Sequence, residues 1–219
     1  MKPNTSPRPL KRLLLAACAA AVVGSSLTAC FPLLVGGAVG GVLVATDRRT
    51  SGAQLEDEGI ELRSMARLRD NIGSRARVSV TSYNRQVLLT GEVLNENDKK
   101  LVEQVVSRVE NVNGVVNELA ILNSPTLVQR SSDVLITGQV KALLVDAKDL
   151  YAGAFKVVTE RGTVYLMGRV TQREADRATE IARGARGVQK VVRILEIISE
   201  EEMQRLVPPP AKSAPAPRS

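Results

Sequence analysis

The sequence predicts an α+β protein in which one α-β-β-α-β unit occurs twice, each unit a small three-stranded sheet packed on two helices. Three observations carry this prediction: an internal repeat, apolar residues alternating at every second position around two tight turns, and apolar residues at helical spacing beside them. The chain of 219 residues is long enough for two small domains. We therefore expect two domains of one fold in tandem.

The repeat is clearest between VSVTSYNRQVLLTGEV (78–93) and FKVVTERGTVYLMGRV (155–170), which align without a gap. Four apolar positions and one glycine coincide: Val80 with Val157, Val87 with Val164, Leu89 with Leu166, Gly91 with Gly168, and Val93 with Val170. Residues 105–121 and 181–197 also match, with the register changed by one residue. A duplicated unit of about this length predicts one domain per copy.

Each matched segment reads as a β-hairpin. Apolar residues alternate on both sides of Asn84-Arg85 in the first copy and of Arg161-Gly162 in the second. Asn and Gly tolerate the positive φ angles that a two-residue hairpin turn needs. The sequence therefore predicts two antiparallel strands in each copy.

Helical spacing predicts a helix before and after each hairpin, and a last strand closes each copy. The predicted apolar faces of the leading helices are Met65, Leu68 and Ile72 in the first copy, and Ile136, Val140 and Leu143 in the second. Those of the second helices are Leu101, Val102, Val105, Val106 and Val109, and Ala175, Ala178, Ile181, Ala182 and Ala185. The last strands carry Val115, Leu119 and Ile121, and Val191, Leu195 and Ile197.

Residues 1–29 have the composition of a secretory signal peptide that is removed. Four basic residues precede the apolar stretch 13–24, and small residues close it. The final LTAC (27–30) resembles the lipobox of bacterial lipoproteins. This resemblance implies cleavage before Cys30, with a covalent diacylglycerol and an N-acyl chain on that residue and no other cofactor. Phe31, rather than Asp, follows Cys30, and in such lipoproteins this implies the outer membrane.

Cysteine usage agrees with a lipid anchor. Cys18 lies inside the signal and leaves with it, so Cys30 has no partner for a disulfide in the mature chain. The alternative is an ordinary signal peptide cut nearby, which leaves Cys30 as a free thiol. Residues 30–53 form an apolar, glycine-rich leader. Its apolar segment, residues 31–45, is shorter than the roughly 20 apolar residues of a membrane-spanning helix.

Composition argues against nucleic-acid binding and against catalysis. Residues 1–29 hold four basic and no acidic residues, so the net charge of +7 falls to +3 in the mature chain. The chain has no His or Trp and only 2% aromatic residues, which removes both base stacking and Ser-His or Cys-His couples. Glu174 and Asp176 do not face each other on a helix, so we expect them to be solvated surface. We expect a protein that is not an enzyme.

The V-x-L-x-G-x-V and GV-x-x-V patterns of the two copies resemble the BON domain. The mature chain as a whole resembles the two-BON outer-membrane lipoproteins of the DolP type, through ATDRR (45–49), QLEDEGIELR (54–63) and TERGTVYLMGRVTQREA (159–175). The resemblance implies BON domains at 54–124 and 133–199, joined by a linker at 125–132. Residues 200–219, rich in Pro and Ala, have no expected counterpart and read as a disordered tail.

The resemblance implies binding rather than chemistry: phospholipid surfaces, anionic lipid recognition by the second domain, envelope integrity, and the outer-membrane protein assembly machinery. Charge agrees with that division. Residues 55–123 hold 9 basic and 11 acidic side chains, whereas residues 131–199 hold 11 and 8. A net charge of +3 on the second copy favours anionic headgroups such as phosphatidylglycerol or cardiolipin.

The helix predicted over residues 131–150 supplies the candidate lipid-binding residues. Capped by Asp133 or Ser132, it turns its core face inward and leaves three apolar residues and two lysines outside that face: Val134, Leu135, Val145, Lys141 and Lys148. Apolar groups beside ammonium groups suit a headgroup boundary. The family has an aromatic residue in place of Leu135, so a strong interfacial anchor is missing.

Two alternatives stay open. The outward apolar residues can instead pack against the first domain, which is a common use of such residues in a two-domain chain. The protein can also be an adaptor for the outer-membrane assembly machinery or for cell-wall components, with lipid contact incidental, because the edge strands of two small sheets can accept an added strand.

Overall fold

The structure, a computed structural model, describes residues 47–122 and 126–206. The signal peptide, Cys30, the leader up to residue 46 and the tail from residue 207 lie outside the described residues. None of the helices in the described part is both long and apolar enough to cross a membrane.

The first copy contains α1 (Ser51–Ile72), β1 (Arg77–Tyr83), β2 (Gln86–Val93), α2 (Glu96–Ser107), β3 (Gly114–Asn117) and β4 (Ala120–Ile121). The second contains α3 (Leu127–Asp146), β5 (Phe155–Glu160), β6 (Thr163–Val170), α4 (Gln172–Gly184) and β7 (Lys190–Ile197), and is followed by α5 (Glu200–Leu206). The predicted α+β class and the doubled α-β-β-α-β order are confirmed.

Both sheets have the hairpin's second strand at the centre. Strand β2 pairs antiparallel with β1 and parallel with β3 and β4, and β6 pairs antiparallel with β5 and parallel with β7. The last strand of the first copy is split, because the side chain of Asn117 accepts a hydrogen bond from the Leu119 amide at 3.2 Å. One predicted strand is therefore two short ones.

The hairpin turns are held by a carboxylate from the leading helix of the same copy. Asn84, Arg85, Arg161 and Gly162 all have positive φ. Asp57 of α1 accepts hydrogen bonds from the Asn84 and Arg85 amides at 2.7 and 2.8 Å. Asp133 of α3 accepts from the Arg161 and Gly162 amides at 2.8 and 2.9 Å. The prediction of Asp133 or Ser132 as a helix cap is therefore wrong, since Asp133 lies buried inside α3.

Helix α3 starts earlier than the sequence predicts. Thr126 is its N-cap, and it forms a reciprocal capping box with Gln129. Most of the predicted linker, 125–132, is consequently the beginning of this helix. The first residues of the predicted disordered tail are also helical: three glutamates open α5, and the Ser199 hydroxyl accepts from the Glu202 amide at 3.1 Å.

Each domain has its own core between its helices and its sheet. The first is built on residues such as Ile60, Leu68, Val87, Leu89 and Val102; the second on Ile136, Val140, Leu144, Val164 and Leu166. Most predicted core positions are confirmed. Met65 is an exception: it is 46% exposed, and the neighbouring Ser64 takes the buried position between Ile60 and Leu68.

The other faces of the two sheets pack against each other. Because side chains alternate along a strand, Leu88 points away from α1 and α2, and Tyr165 and Met167 point away from α3 and α4. With Tyr83 they form a third buried cluster between the sheets. The described residues are thus layered as helices, sheet, sheet, helices, and the outer surface of the second domain is its helical layer.

Candidate functional site

An apolar stripe runs along the outer side of α3. Leu127, Val128, Val134, Leu135 and Val145 are 62–79% exposed. Val134 and Val145 follow Leu127 by seven and eighteen residues, close to two and five whole turns at about 3.6 residues per turn. With 20 residues, α3 is about 30 Å long. The stripe therefore extends from one end of the helix to the other.

The buried side of α3 fixes this orientation. Ile136, Val140 and Leu144 lie in the core of the second domain. The Thr137 hydroxyl, on the same side, bonds the Thr159 hydroxyl of β5 at 2.8 Å. Because these contacts hold the helix, Val134, Leu135 and Val145 face outward, and the alternative in which they pack against the first domain is wrong.

Cations lie beside the stripe. Lys141 is exposed on α3, and Lys148 is exposed in the turn after it, two residues beyond the helix end rather than inside the helix. Arg130 is exposed in the first turn. None of these three side chains forms an ion pair or hydrogen bond within the described residues. Sequence reasoning missed Leu127, Val128 and Arg130 because it assigned them to the linker. The capping-box pair Thr126 and Gln129 was the signal that a helix begins there.

A second group of unpaired cations lies at the end of α4, at the start of β7 and on the segment between them. Arg183, Arg186 and Lys190 are exposed, and none has an ion-pair partner in the part of the chain that the structure describes. This segment packs on α3: a Cβ at Gly187 would lie 3.1 Å from Ile136 Cδ1. Several other cations of this domain are committed to carboxylates, for example Arg161 to Glu92 at 3.0 Å.

Two of these cations, Lys156 and Arg161, pair with carboxylates of the first domain. Glu92 of the first domain is buried and is bound by Arg77 of its own domain and by Arg161 of the second. Lys156 of the second domain reaches Glu61 of the first at 2.8 Å and donates to the Ser82 carbonyl oxygen at 3.1 Å. The charge count of the second domain thus overstates what is free to bind anions.

Glu174, which we expected on the solvated surface with Asp176, is buried. The two nitrogens at the end of the Arg48 guanidinium each contact one of its carboxylate oxygens at 2.7 Å. Burial alone would raise the pKa of Glu174, but the hydrogen bonds from Arg48 and from the Thr171 amide keep that pKa below its ordinary value. Asp176 instead pairs with Arg193 on the exposed side of α4. In the described residues, no three His, Cys, Asp or Glu side chains are grouped to hold a metal.

The comparison with protein families decides what these two domains are. The model described as "BON domain" matches residues 56–123 and 132–198, which is more than half of the chain. The chain belongs to the BON family.

Its relatives agree. Over 195 residues it is 36% identical to outer membrane lipoprotein DolP of Haemophilus influenzae, covering 87% of this chain and 97% of that protein. It is also 32% identical to a 21 kDa hemolysin of Actinobacillus pleuropneumoniae, covering 69% of this chain and 79% of the relative. This BON protein is a DolP-like outer-membrane lipoprotein, in a family that is generally non-enzymatic.

Among solved structures, CdsD, a structural protein of the type III secretion system of Chlamydia trachomatis, matches 70% of this chain and 96% of its own. The identity is 15% and the TM-score is 0.28. A likeness of that size carries no argument about the BON protein.

Proposed function

We propose that this lipoprotein is anchored by acyl chains on Cys30 and binds anionic phospholipids, such as phosphatidylglycerol or cardiolipin, through α3 of its second BON domain, on the periplasmic face of the outer membrane. There it supports envelope integrity. The observation that carries the proposal is the exposed apolar stripe along the full length of α3, opposite its core face and flanked by unpaired cations.

The arrangement matches a helix that lies in the plane of a membrane interface. Such helices insert an apolar face below the headgroups and keep basic residues at phosphate level. Full burial of a Val or Leu side chain contributes roughly 1.5–3 kcal/mol, and each basic group near an anionic surface about 1 kcal/mol. Leu127 and Val145 at the two ends of α3 extend the stripe, which offsets the missing aromatic at Leu135.

The test uses the mature-length chain, residues 30–219, with Cys30→Ser so that no acyl chain contributes. A fragment beginning at Gln54 would delete Arg48 and leave Glu174 buried without its counter-charge. We expect co-sedimentation with phosphatidylglycerol vesicles, less with neutral vesicles, and a loss of binding as salt rises.

Leu135→Asp with Lys141→Glu removes one apolar anchor and reverses one charge. We expect the double variant to lower the affinity for anionic vesicles roughly 10- to 100-fold. The matched control is Leu62→Asp with Lys100→Glu in the first domain, because Leu62 and Leu135 are both 73% exposed. Unchanged binding of the α3 variant, or equal loss in the control, would show that α3 is the wrong surface.

A role as an adaptor in outer-membrane protein assembly is the second candidate. It is favoured by β7, an eight-residue strand that pairs, within the described residues, on one side only, with β6. Its free edge offers backbone groups for strand addition. Crosslinking in whole cells separates the two functions: an adaptor gives one dominant protein partner that persists in the Leu135→Asp/Lys141→Glu variant.

A further inference from the structure

The short segment Asp47–Thr50 belongs to the predicted leader and directly precedes α1, and its two arginines reach different domains. Arg48 binds the second domain, where the Glu174 carboxylate and the Arg169 carbonyl oxygen accept hydrogen bonds from its guanidinium. Arg49 binds the first domain, where it pairs with Asp57 at 2.9 Å and lies over the Tyr83 ring at 4.2 Å. The point at which the chain enters the folded body is therefore fastened to both domains.

The contact made by Arg48 is the more deeply buried of the two. Its side chain is 2% exposed and that of Glu174 is 1% exposed. The pair is bidentate, and a third hydrogen bond reaches the Arg169 carbonyl oxygen at 3.1 Å. Desolvating two charges costs about as much as such a pair returns, so buried pairs are better explained by the arrangement they specify than by net stability.

This pair specifies where the segment before α1 lies on the second domain. The Arg48 guanidinium also lies 5.7 Å from the centre of the Tyr151 ring. Tyr151 follows the end of α3, at Asp146, by five residues. The entry point of the chain is thus held beside the C-terminal end of the helix that carries the apolar stripe.

We propose that Arg48 is a positioning residue: through Glu174 it fixes the point where the lipid tether leaves the body, beside the C-terminal end of α3. The acyl anchor and α3 then meet the same bilayer as two linked binding modules, and the second contact becomes intramolecular. This membrane consequence rests on the proposed function, whereas the fixed location does not.

The location is tested by a distance measurement between spin labels on Asp47→Cys and Gln139→Cys, in the mature-length chain with Cys30→Ser. We expect one narrow distance distribution in the parent chain, and a broad one with Arg48→Gln. Glu174→Gln is a second variant, because its amide oxygen can still accept from the Thr171 amide and preserve the cap of α4. Arg177→Gln, on the exposed side of α4, is the control and stays narrow. A broad parent distribution, or variants as narrow as the parent, overturns the proposal.

The consequence is tested with the chain acylated at Cys30 in phosphatidylglycerol vesicles, using an environment-sensitive fluorophore at Val134→Cys. Arg48→Gln should lower the inserted fraction of α3 several-fold in the acylated chain and leave the affinity of the unacylated chain unchanged. The membrane consequence is overturned if α3 inserts equally in the acylated parent and the acylated Arg48→Gln variant. It is also overturned if Arg48→Gln lowers vesicle binding by the same factor in the unacylated chain. If the unacylated parent ignores these vesicles, the proposed function fails while the distance result stands.

Discussion

The buried pair between Arg48 and Glu174 gives the sharpest stability prediction. Arg48→Met keeps most of the side-chain volume but removes two charge-assisted hydrogen bonds of 2.7 Å and a third of 3.1 Å to the Arg169 carbonyl oxygen. Glu174, 1% exposed, is then a buried carboxylate without a counter-charge. Breaking such a pair by removing one partner costs about 3–5 kcal/mol. For a folded unit of this size, that lowers Tm by roughly 6–20 °C.

Urea unfolding of the mature-length chain with Cys30→Ser measures the loss, with the m-value checked for constancy. The matched control is Arg177→Met, which breaks a 3.0 Å pair with Asp149 whose side chains are about half exposed. We expect that loss to stay below about 1 kcal/mol. The double variant Arg48→Met/Glu174→Gln should recover much of the stability, because no unpaired charge remains buried.

Two results would refute this reasoning. A loss below about 1 kcal/mol for Arg48→Met would mean that the pair is open to water in solution. A double variant as unstable as Arg48→Met alone would mean that the cost comes from lost packing around Arg48 rather than from the stranded charge of Glu174.

Three further predictions concern the fold. Leu88→Ala opens the buried cluster between the sheets and should cost about 2–5 kcal/mol in urea unfolding. Gly91→Ala should lower the unfolding free energy by more than about 1 kcal/mol, because Gly91 has φ 118° and a Cβ there would lie 2.0 Å from a carbonyl oxygen. Gly138→Ala, which meets open space on α3, should raise the unfolding free energy by about 0.5–1 kcal/mol. Folding lowers the pKa values of Glu174 and Asp57, so both carboxylates stabilise the folded state above their ordinary pKa values of 4.5 and 3.8. This contribution is lost as the pH falls through their lower pKa values in the folded protein. The unfolding free energy should therefore fall from pH 6 to pH 3, and Glu174→Gln should make that fall less steep.

Local periodicity was enough to predict the α-β-β-α-β order of both domains. The alternating valines and leucines around Asn84-Arg85 and Arg161-Gly162 specify hairpins because each strand buries one face. What periodicity missed was the other face: Leu88, Tyr165 and Met167 occupy positions that a single domain would expose, and only the pairing of two sheets buries them. A strand that is apolar on both faces was the available signal.

The candidate site was predicted in part. Val134, Leu135, Val145 and Lys141 lie where helical spacing puts them, but Leu127, Val128 and Arg130 were assigned to a linker, because a capping box at Thr126 is a weaker signal than a change in composition. Arg48 and Glu174 lie 126 residues apart in sequence, and nothing local marks them as partners. Long-range ion pairs of this kind become visible only when the two domains are brought together.

The central claim is that α3 rests its outer stripe on an anionic bilayer, and the most direct measurement is a fluorophore placed singly at Val134, Leu135 and Val145, with Leu62 of the first domain as reference. On adding phosphatidylglycerol vesicles to the chain with Cys30→Ser, the emission should shift to the blue at all three α3 positions and stay unchanged at Leu62. No shift along α3, or an equal shift at Leu62, would contradict the account.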